Sequence, residues 1–170
     1  MKNNQLSIKD YEGILHFQTL MQESKNDFPY KVLKNLADVF GFNCLSIFLV
    51  DNNGQFYNPV GINFGGENAL KVYTDYYVKD DPFYFKNLAN SPVASRNSIT
   101  VTDIVPYDQF EKTEYYHDFF KKNDFYYEVG LYLKHNNQHI GAMGVLRSKE
   151  EEDFSIREVH LLSTLANIVS

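Results

Sequence analysis

The segment Cys44–Val50 limits the possible folds most, because it is a short apolar run whose two alternating faces are both hydrophobic. Its two faces consist of Leu45, Ile47 and Leu49 on one side and Cys44, Phe48 and Val50 on the other. An extended strand with this pattern is stable when other parts of the protein cover it from both sides. The sequence therefore predicts a strand buried between two layers of structure.

Turn residues group four candidate strands into two hairpins. The Asn-Gly pair at residues 53–54 suits a tight turn, and residues 55–62 return as the second strand. Pro59 favours an edge position for that strand, since proline lacks the backbone donor that a central strand needs. A second hairpin is predicted from residues 125–133 and 139–147. One face of its first strand would consist of Phe125, Tyr127, Val129, Leu131 and Leu133. Residues 99–101 are a candidate for a short fifth strand.

Helical spacing predicts helices before and between these hairpins. The first begins near Ser7, with apolar side chains at Ile8, Tyr11, Ile14 and Leu15. The second ends at Gly41, a residue type suited to the left-handed position after a helix. Residues 67–77 and 108–122 are also predicted to be helical. In the latter segment the expected i, i+4 ring pairs are Tyr115 with Phe119 and Tyr116 with Phe120.

The last helix has the clearest local signal. Ser155 and Glu158 form a capping-box sequence, with Phe154 and Val159 placed as a hydrophobic staple around the helix start. With this helix, the predicted order of elements indicates an α+β fold with a central, mostly antiparallel sheet flanked by helices. The length of 170 residues fits a single domain that spans residues 1–170.

Composition excludes several classes of protein. The 16 Lys and Arg residues stand against 22 Asp and Glu, and the net charge of −6 argues against DNA binding by this chain alone. The single cysteine excludes an internal disulfide framework. Neither a signal peptide nor an apolar run of about 18 residues is present, so a cytoplasmic protein without membrane contact is expected.

Local spacing assembles no catalytic or metal site, so we expect neither an enzyme nor a metalloprotein. Cys44 lies in an apolar run, whereas a reactive thiol needs an electropositive, partly exposed environment. His135 and His139 flank a turn but have no third ligand nearby in sequence. Neither of the common glycine-rich phosphate-binding motifs occurs, and the sequence identifies no cofactor.

Aromatic residues are the unusual part of the composition, with 13 Tyr, 14 Phe and no Trp. Many cluster in the middle of the chain, around an irregular segment that follows Asp81-Pro82. A small-molecule pocket and a large aromatic core explain this clustering equally well. The pocket hypothesis predicts one cavity lined by Tyr73, Tyr77, Phe83, Tyr116, Phe120 and Tyr127. Asp81 would supply its one charged contact, although a turn or cap role before Pro82 also fits this residue.

Several segments, in order and spacing, carry a resemblance to a known family. They are FLVD at residues 48–51, ITVTDIVP at 99–106, YYHDFF at 115–120, GAMGVLR at 141–147 and FSIRE at 154–158. Over roughly residues 28–170 the chain resembles the N-terminal GAF-like sensor domain of LuxR-type transcriptional regulators. The resemblance implies a GAF/PAS-like fold with a pocket on one side of the sheet. It also implies a homodimer, and DNA contact only through a C-terminal helix-turn-helix domain that this chain lacks.

Three functions remain open from the sequence. The first is a sensory domain that binds a small molecule and controls an attached DNA-binding domain. The second is a GAF-like module for dimerisation and docking that has no ligand, and the third and least supported is a small hydrolase or transferase. The last helix is apolar over more than one face, so part of it should meet the first helix or a second copy. A cavity of a few hundred Å³ would favour the first function, and a filled core the second.

Overall fold

The computed structural model describes residues 5–22 and 27–170 of the chain, so residues 1–4 and 23–26 of the predicted domain lie outside the described part. Two helices come first, α1 at Ile8–Gln22 and α2 at Phe28–Phe40. The strands are β1 at Cys44–Val50, β2 at Phe56–Ile62, β3 at Ser98–Thr100, β4 at Tyr127–His135 and β5 at Gln138–Arg147. The remaining helices are α3 at Ala69–Val72, α4 at Val101–Ile104, α5 at Tyr107–Phe110 and α6 at Ile156–Val169. Tyr73–Tyr77 and Tyr116–Phe120 form π-helical turns, and Lys121–Asn123 a 3₁₀ turn.

The strands form one five-stranded antiparallel sheet in the order β2-β1-β5-β4-β3. The two predicted hairpins are confirmed, and β1 joins them by pairing with β5. Pro59 lies in β2, which is an edge strand as predicted. The predicted α+β class with a central antiparallel sheet is confirmed.

Each face of the sheet carries its own hydrophobic cluster. The helix-side core packs α1, α2 and α6 against one face, and Leu45 and Ile47 of β1 are fully buried in it. The aromatic cluster covers the other face with residues from the segment between β2 and β4, and Phe48 of β1 packs there. Both faces of β1 are therefore covered, as its two apolar faces predicted.

Helix ends follow local sequence signals. The helix α2 ends at Gly41, whose φ of 77° is left-handed, and its N–H donates to the Ala37 carbonyl. At α6, the Ser155 hydroxyl accepts from the Glu158 N–H while the Glu158 carboxylate accepts from the Ser155 N–H, which confirms the capping box. A second capping box at Thr100 and Asp103 begins α4 directly after β3.

The helix expected over residues 108–122 is interrupted instead. The helix α5 ends at Phe110, and the Thr113 hydroxyl donates to the Phe110 carbonyl while accepting from the Tyr116 N–H. A side chain that bonds to the backbone in this way competes with continuous helical hydrogen bonding. The π-helical turn that follows brings the Tyr115 ring 5.3 Å from the Phe120 ring, whereas Tyr116 packs on Phe110. The expected pair of Tyr116 with Phe120 is therefore wrong.

Two further expectations about faces are corrected. Phe125 precedes β4 and packs in the aromatic cluster, because Asp124 with a left-handed φ of 59° turns the chain before the strand begins. In α1 the buried face is Asp10, Ile14 and Phe17, while Ile8, Tyr11 and Leu15 are exposed. Within residues 5–22 and 27–170, no helix combines the length and the apolar character needed to cross a membrane.

Candidate functional site: a cavity with two buried carboxyl groups

A cavity lies between the sheet and the aromatic cluster. Its wall consists of Ser46, Phe48, Phe56, Phe64, Tyr73, Asp81, Phe83, Tyr115, Phe119, Phe120, Glu128, Gly130, Tyr132, Ala142, Met143, Gly144 and Leu146. The empty space among these side chains, out to the mouth, is about 430 Å³, but only about 30 Å³ admits the centre of a water molecule. A space of about 30 Å³ holds about two waters. The volume of the closed cavity is therefore smaller than the few hundred Å³ that would by itself favour a ligand.

Small residues from three neighbouring strands form the cavity floor. Ser46 of β1 pairs with Gly144 of β5, which pairs in turn with Gly130 of β4. A Cβ atom at Gly144 would lie only 2.9 Å from Ser46 Oγ and 3.0 Å from Glu128 Oε1. A Cβ atom at Gly130 would lie 2.8 Å from Cδ1 of Phe83. Glycine at these two positions leaves the room that the oxygen atoms and the Phe83 ring occupy.

Asp81 supplies the first buried carboxyl group. It lies at the start of residues 81–87, the segment that covers the cavity and that we call the cover. Its Oδ2 accepts a 2.5 Å hydrogen bond from the Tyr73 hydroxyl, and its Oδ1 accepts a 2.7 Å bond from the Phe83 N–H. Burial raises the pKa of Asp81 to about 6, although hydrogen bonds from Tyr73, Phe83 and Tyr115 act in the opposite direction. Asp81 thus has the turn role that was one of its two predicted roles, and it also faces the cavity.

Glu128 supplies the second carboxyl group, from β4, and the sequence analysis missed it. The residue is 9% exposed. Burial first, and then the negative charge of Asp81, raise its pKa well above the usual range, and no described residue donates a hydrogen bond to its carboxyl group. A signal existed in the sequence, because Glu128 is the one charged residue in the predicted strand 125–133, whose other residues are apolar, aromatic or glycine.

Further hydrogen bonds hold the segment that covers the cavity. The Tyr132 hydroxyl of β4 donates to the Phe83 carbonyl at 2.6 Å, and the Tyr84 hydroxyl donates to the Gly54 carbonyl at 2.9 Å. The Asn87 side-chain amide donates to the carbonyl of Asp81 at 2.8 Å. The cover is thus attached both to the cavity wall and to the β1–β2 turn.

The structure brings four of the seven predicted binding residues to this cavity, namely Tyr73, Asp81, Phe83 and Phe120. Tyr77, Tyr116 and Tyr127 lie elsewhere. Tyr77 packs beside Phe119, and Tyr116 packs on Phe110, because the π-helical turns shift their rings away from the wall. Tyr127 lies at the opposite alternation of β4 from Glu128 and contacts the Tyr107 ring. A role in ligand binding for all seven stays a prediction.

Cys44 lies beside this region and behaves as a packing residue. It is partly buried, and burial, followed by the charges of Glu128 and Glu151, raises the pKa of its thiol to about 12. The thiol is therefore protonated at neutral pH, the form that is a poor nucleophile. Across the described part of the chain, His, Cys, Asp and Glu side chains form no group of three that could hold a metal ion.

No protein-family model matches the sequence, and the curated proteins include no relative similar enough to match it. Solved structures are similar in fold. CepR2 of Burkholderia cenocepacia, an N-acylhomoserine lactone dependent LuxR family transcription factor, has a TM-score of 0.64 at 14% identity, and the match covers 96% of this chain and 92% of that one. The chain has a GAF-like fold.

Two further structures support this fold assignment. The GAF3 domain of Slr1393 from Synechocystis, in its photoproduct state, has a TM-score of 0.61 at 14% identity, covering 86% of this chain and 90% of that one. The LBD domain of VqsR from Pseudomonas aeruginosa has a TM-score of 0.60 at 16% identity, covering 96% and 97%. Because sensory GAF domains and LuxR-family domains are both similar, the likeness extends the GAF-like fold to this chain but does not choose between them.

Proposed function

We propose that this chain is a sensory domain of a transcriptional regulator, which binds a small molecule in the cavity and thereby controls an attached DNA-binding domain. The observation that carries the proposal is the cavity itself, where two buried carboxyl groups face a space enclosed by aromatic rings. Small-molecule sites combine apolar walls with a few polar groups in this way. The likeness to CepR2 and to the VqsR LBD domain supports the same proposal.

Binding of anything larger than about two waters requires the cavity to open. Opening by movement of the cover would break the Tyr132–Phe83 and Tyr84–Gly54 hydrogen bonds, which attach it to β4 and to the β1–β2 turn. Opening would change the position of the cover relative to the sheet. A ligand that binds the open form better would shift the population toward that form, which is how occupancy could reach an attached domain.

A fragment screen by two-dimensional amide NMR tests this proposal. Fragments of mixed charge should perturb amides of the cavity floor, including Gly130 and Gly144, and the Gly144→Ala variant should lose these shifts. Its matched control is Gly66→Ala, where a Cβ atom meets nothing within 4 Å. Shifts that avoid the cavity, or that persist in Gly144→Ala, would contradict the proposal.

A docking module without a ligand is the second candidate. The small size of the closed cavity favours it, and so does an exposed apolar face on α1. Ile8, Tyr11 and Leu15 of α1 are 80%, 56% and 64% exposed and lie on one helix face at i, i+3 and i+7. By contrast, most apolar residues of α6 are buried in the helix-side core. If this function is correct, no fragment in the screen binds the cavity.

A further inference from the structure

The cavity wall has an unbalanced charge. Of its 17 lining residues, two are acidic and none is Lys, Arg or His. Buried carboxylates in proteins are normally paired with a cation or saturated with hydrogen-bond donors. Asp81 has donors in Tyr73 and the Phe83 N–H, but Glu128 has none among the described residues. Glu128 therefore has room for a hydrogen-bond donor from outside the chain, and a cationic donor would stabilise its ionised form, which burial and Asp81 otherwise disfavour.

The position of Glu128 makes a partner from outside the chain reasonable. Its Oε1 and the Ser46 Oγ both lie within about 3 Å of the Cβ position that Gly144 leaves vacant, so two oxygen atoms converge above the cavity floor. Both residues line the open space. An ammonium group carries three N–H donors and no acceptor, which suits a site made of oxygen acceptors.

The walls around these oxygens are also suited to a cation. Phe48 and Tyr73 lie 5.1 Å apart between ring centres, and Tyr73 and Phe119 lie 5.5 Å apart. Aromatic faces attract cations, and more strongly where water is excluded. The same rings offer apolar contact to the rest of a ligand. The two carboxyl groups would repel an anionic ligand. A neutral ligand with a carbonyl group would offer these oxygens another hydrogen-bond acceptor instead of the donor that they need.

We propose that the cavity binds a compact primary amine in its ammonium form. The ammonium group would donate to the carboxylate of Glu128 and to Ser46 Oγ, and an apolar or aromatic body would lie against the rings. Asp81 adds a second negative charge nearby while it holds the cover through the Phe83 N–H. This inference rests on the proposed small-molecule function and specifies the ligand class.

Three probes of similar shape and different charge test the ligand class, namely 2-phenylethylamine, 2-phenylethanol and 3-phenylpropanoate. They are titrated into the whole chain at pH 7.5 and followed by two-dimensional amide NMR, with methylammonium as a probe small enough for the closed cavity. We expect the amine to bind at least tenfold more tightly than the alcohol and the carboxylate not to bind. Methylammonium should perturb the same floor amides.

Variants connect the preference to Glu128. Glu128→Gln keeps the size of the side chain and removes its charge. The affinity for the amine should therefore fall at least tenfold, to that for the alcohol, while the affinity for the alcohol should stay unchanged. Glu114→Gln, at an exposed acid outside the cavity, is the matched control and should leave the amine affinity unchanged. Amide spectra of both variants report whether they remain folded.

The outcomes separate this inference from the function it rests on. If the alcohol binds the floor as tightly as the amine, or the carboxylate binds best, the amine inference is wrong while a small-molecule pocket is retained. If Glu128→Gln binds the amine as tightly as the unmodified chain, Glu128 is not its partner and the inference is also wrong. If no probe perturbs the floor, the amine inference is wrong, and the broader fragment screen alone decides the proposed function.

Discussion

Single residues control the energetics of the cavity. Glu128 projects into it because alternation along β4 places residues 128, 130 and 132 on the same face, and each of the three lines the wall. Burial disfavours its ionised form, and the charge of Asp81 disfavours it further. A polar group that is kept at such a site at the expense of stability is a sign of function rather than of packing.

Glu128→Gln should make the unliganded protein more stable at neutral pH. A carboxyl group with a raised pKa in the folded state binds its proton more tightly there than in the unfolded chain, so stability falls as pH rises above the ordinary glutamate pKa of about 4.3. We expect the free energy of unfolding to rise by about 1–3 kcal/mol at pH 7.5, because the variant has no buried carboxyl group to ionise. At pH 4 we expect almost no change. Urea unfolding at both pH values measures it. Glu114→Gln is again the control, and an equal gain at both pH values would be evidence against a buried charge.

Asp81→Ala should destabilise the cover. The change leaves the buried Tyr73 hydroxyl and the Phe83 N–H without their acceptor, which costs about 2–3 kcal/mol. Asp80→Ala, at the exposed neighbouring residue, should change stability by less than about 0.5 kcal/mol. Urea unfolding gives both values. Hydrogen exchange at Phe83 and Tyr84 should accelerate in Asp81→Ala alone, and unchanged exchange there would show that Asp81 does not hold the cover.

At the scale of elements, an ion pair between Asp10 and Arg157, called the clasp below, joins the first and last helices. Asp10 accepts from the Ser7 N–H at 2.7 Å, which caps the start of α1. The same carboxylate accepts from Arg157 of α6 at 2.6 and 2.7 Å. Burial would raise the pKa of Asp10, but the bonds from Arg157 and Ser7 outweigh it and hold the pKa below the usual range. One side chain thus links a local cap to a contact between helices far apart in sequence.

Arg157→Ala should lower the free energy of unfolding by about 1–2 kcal/mol at pH 7, because it removes charge-assisted bonds to a buried carboxylate. Since the pKa of Asp10 is lowered in the folded state, its contribution is present above about pH 4 and is lost as pH falls through the folded value. The difference between the two proteins should therefore shrink in acid. Lys34→Ala, which breaks an exposed pair with Asp38, should lower the free energy of unfolding much less than Arg157→Ala does. Equal effects of the two changes would contradict a special role for the clasp.

At the scale of the whole molecule, a homodimer stays a prediction, and the exposed apolar face of α1 is the surface through which we expect two copies to pack. The apolar breadth of α6, which suggested a second surface, is mostly used within the domain. A face of three large apolar side chains on a surface helix is suited to contact with another protein surface.

Light scattering tests the dimer directly. We expect a dimer at high micromolar concentration, and a monomer for Leu15→Glu, because a charge on this face would be buried in the interface. Lys34→Glu also introduces a glutamate, but at an exposed site on α2, and it should leave the dimer intact. A monomer in the unmodified chain would rule out this assembly.

The chain alone should not bind DNA in a sequence-selective way. Its net charge is −6, and several bases are engaged in pairs, such as Lys149 with Glu111 and Arg147 with Glu158. DNA affinity depends mainly on Lys and Arg contacts to phosphates. Titration of a labelled duplex at low and moderate salt should show at most weak binding that disappears as salt rises. Micromolar, sequence-selective binding at moderate salt would contradict this division of roles.

The sequence by itself determined the features that depend on neighbours along the chain. The Asn-Gly turn, the alternation around Val129, the left-handed Gly41 and the Ser155 capping box each depend on a few adjacent residues, and each appears where predicted. At the Asn-Gly turn, the positive φ of 71° belongs to Gly54, and Asn53 does not share it. The two-faced apolar pattern of β1 also predicted its burial between two layers. From these, the α+β class and both hairpins followed.

Only the tertiary structure decided the site. Ser46, Gly144 and Gly130 meet because β1 pairs with β5, a contact between strands nearly 100 residues apart that no local pattern encodes. The π-helical turns, which remove Tyr77 and Tyr116 from the wall, arise in segments whose aromatic pattern is that of an ordinary helix. Glu128 faces the cavity rather than solvent because the aromatic cluster covers that side of the sheet. Burial, and with it the raised pKa of both carboxyl groups, belongs to the packed arrangement as a whole, since desolvation depends on every atom that surrounds a charge.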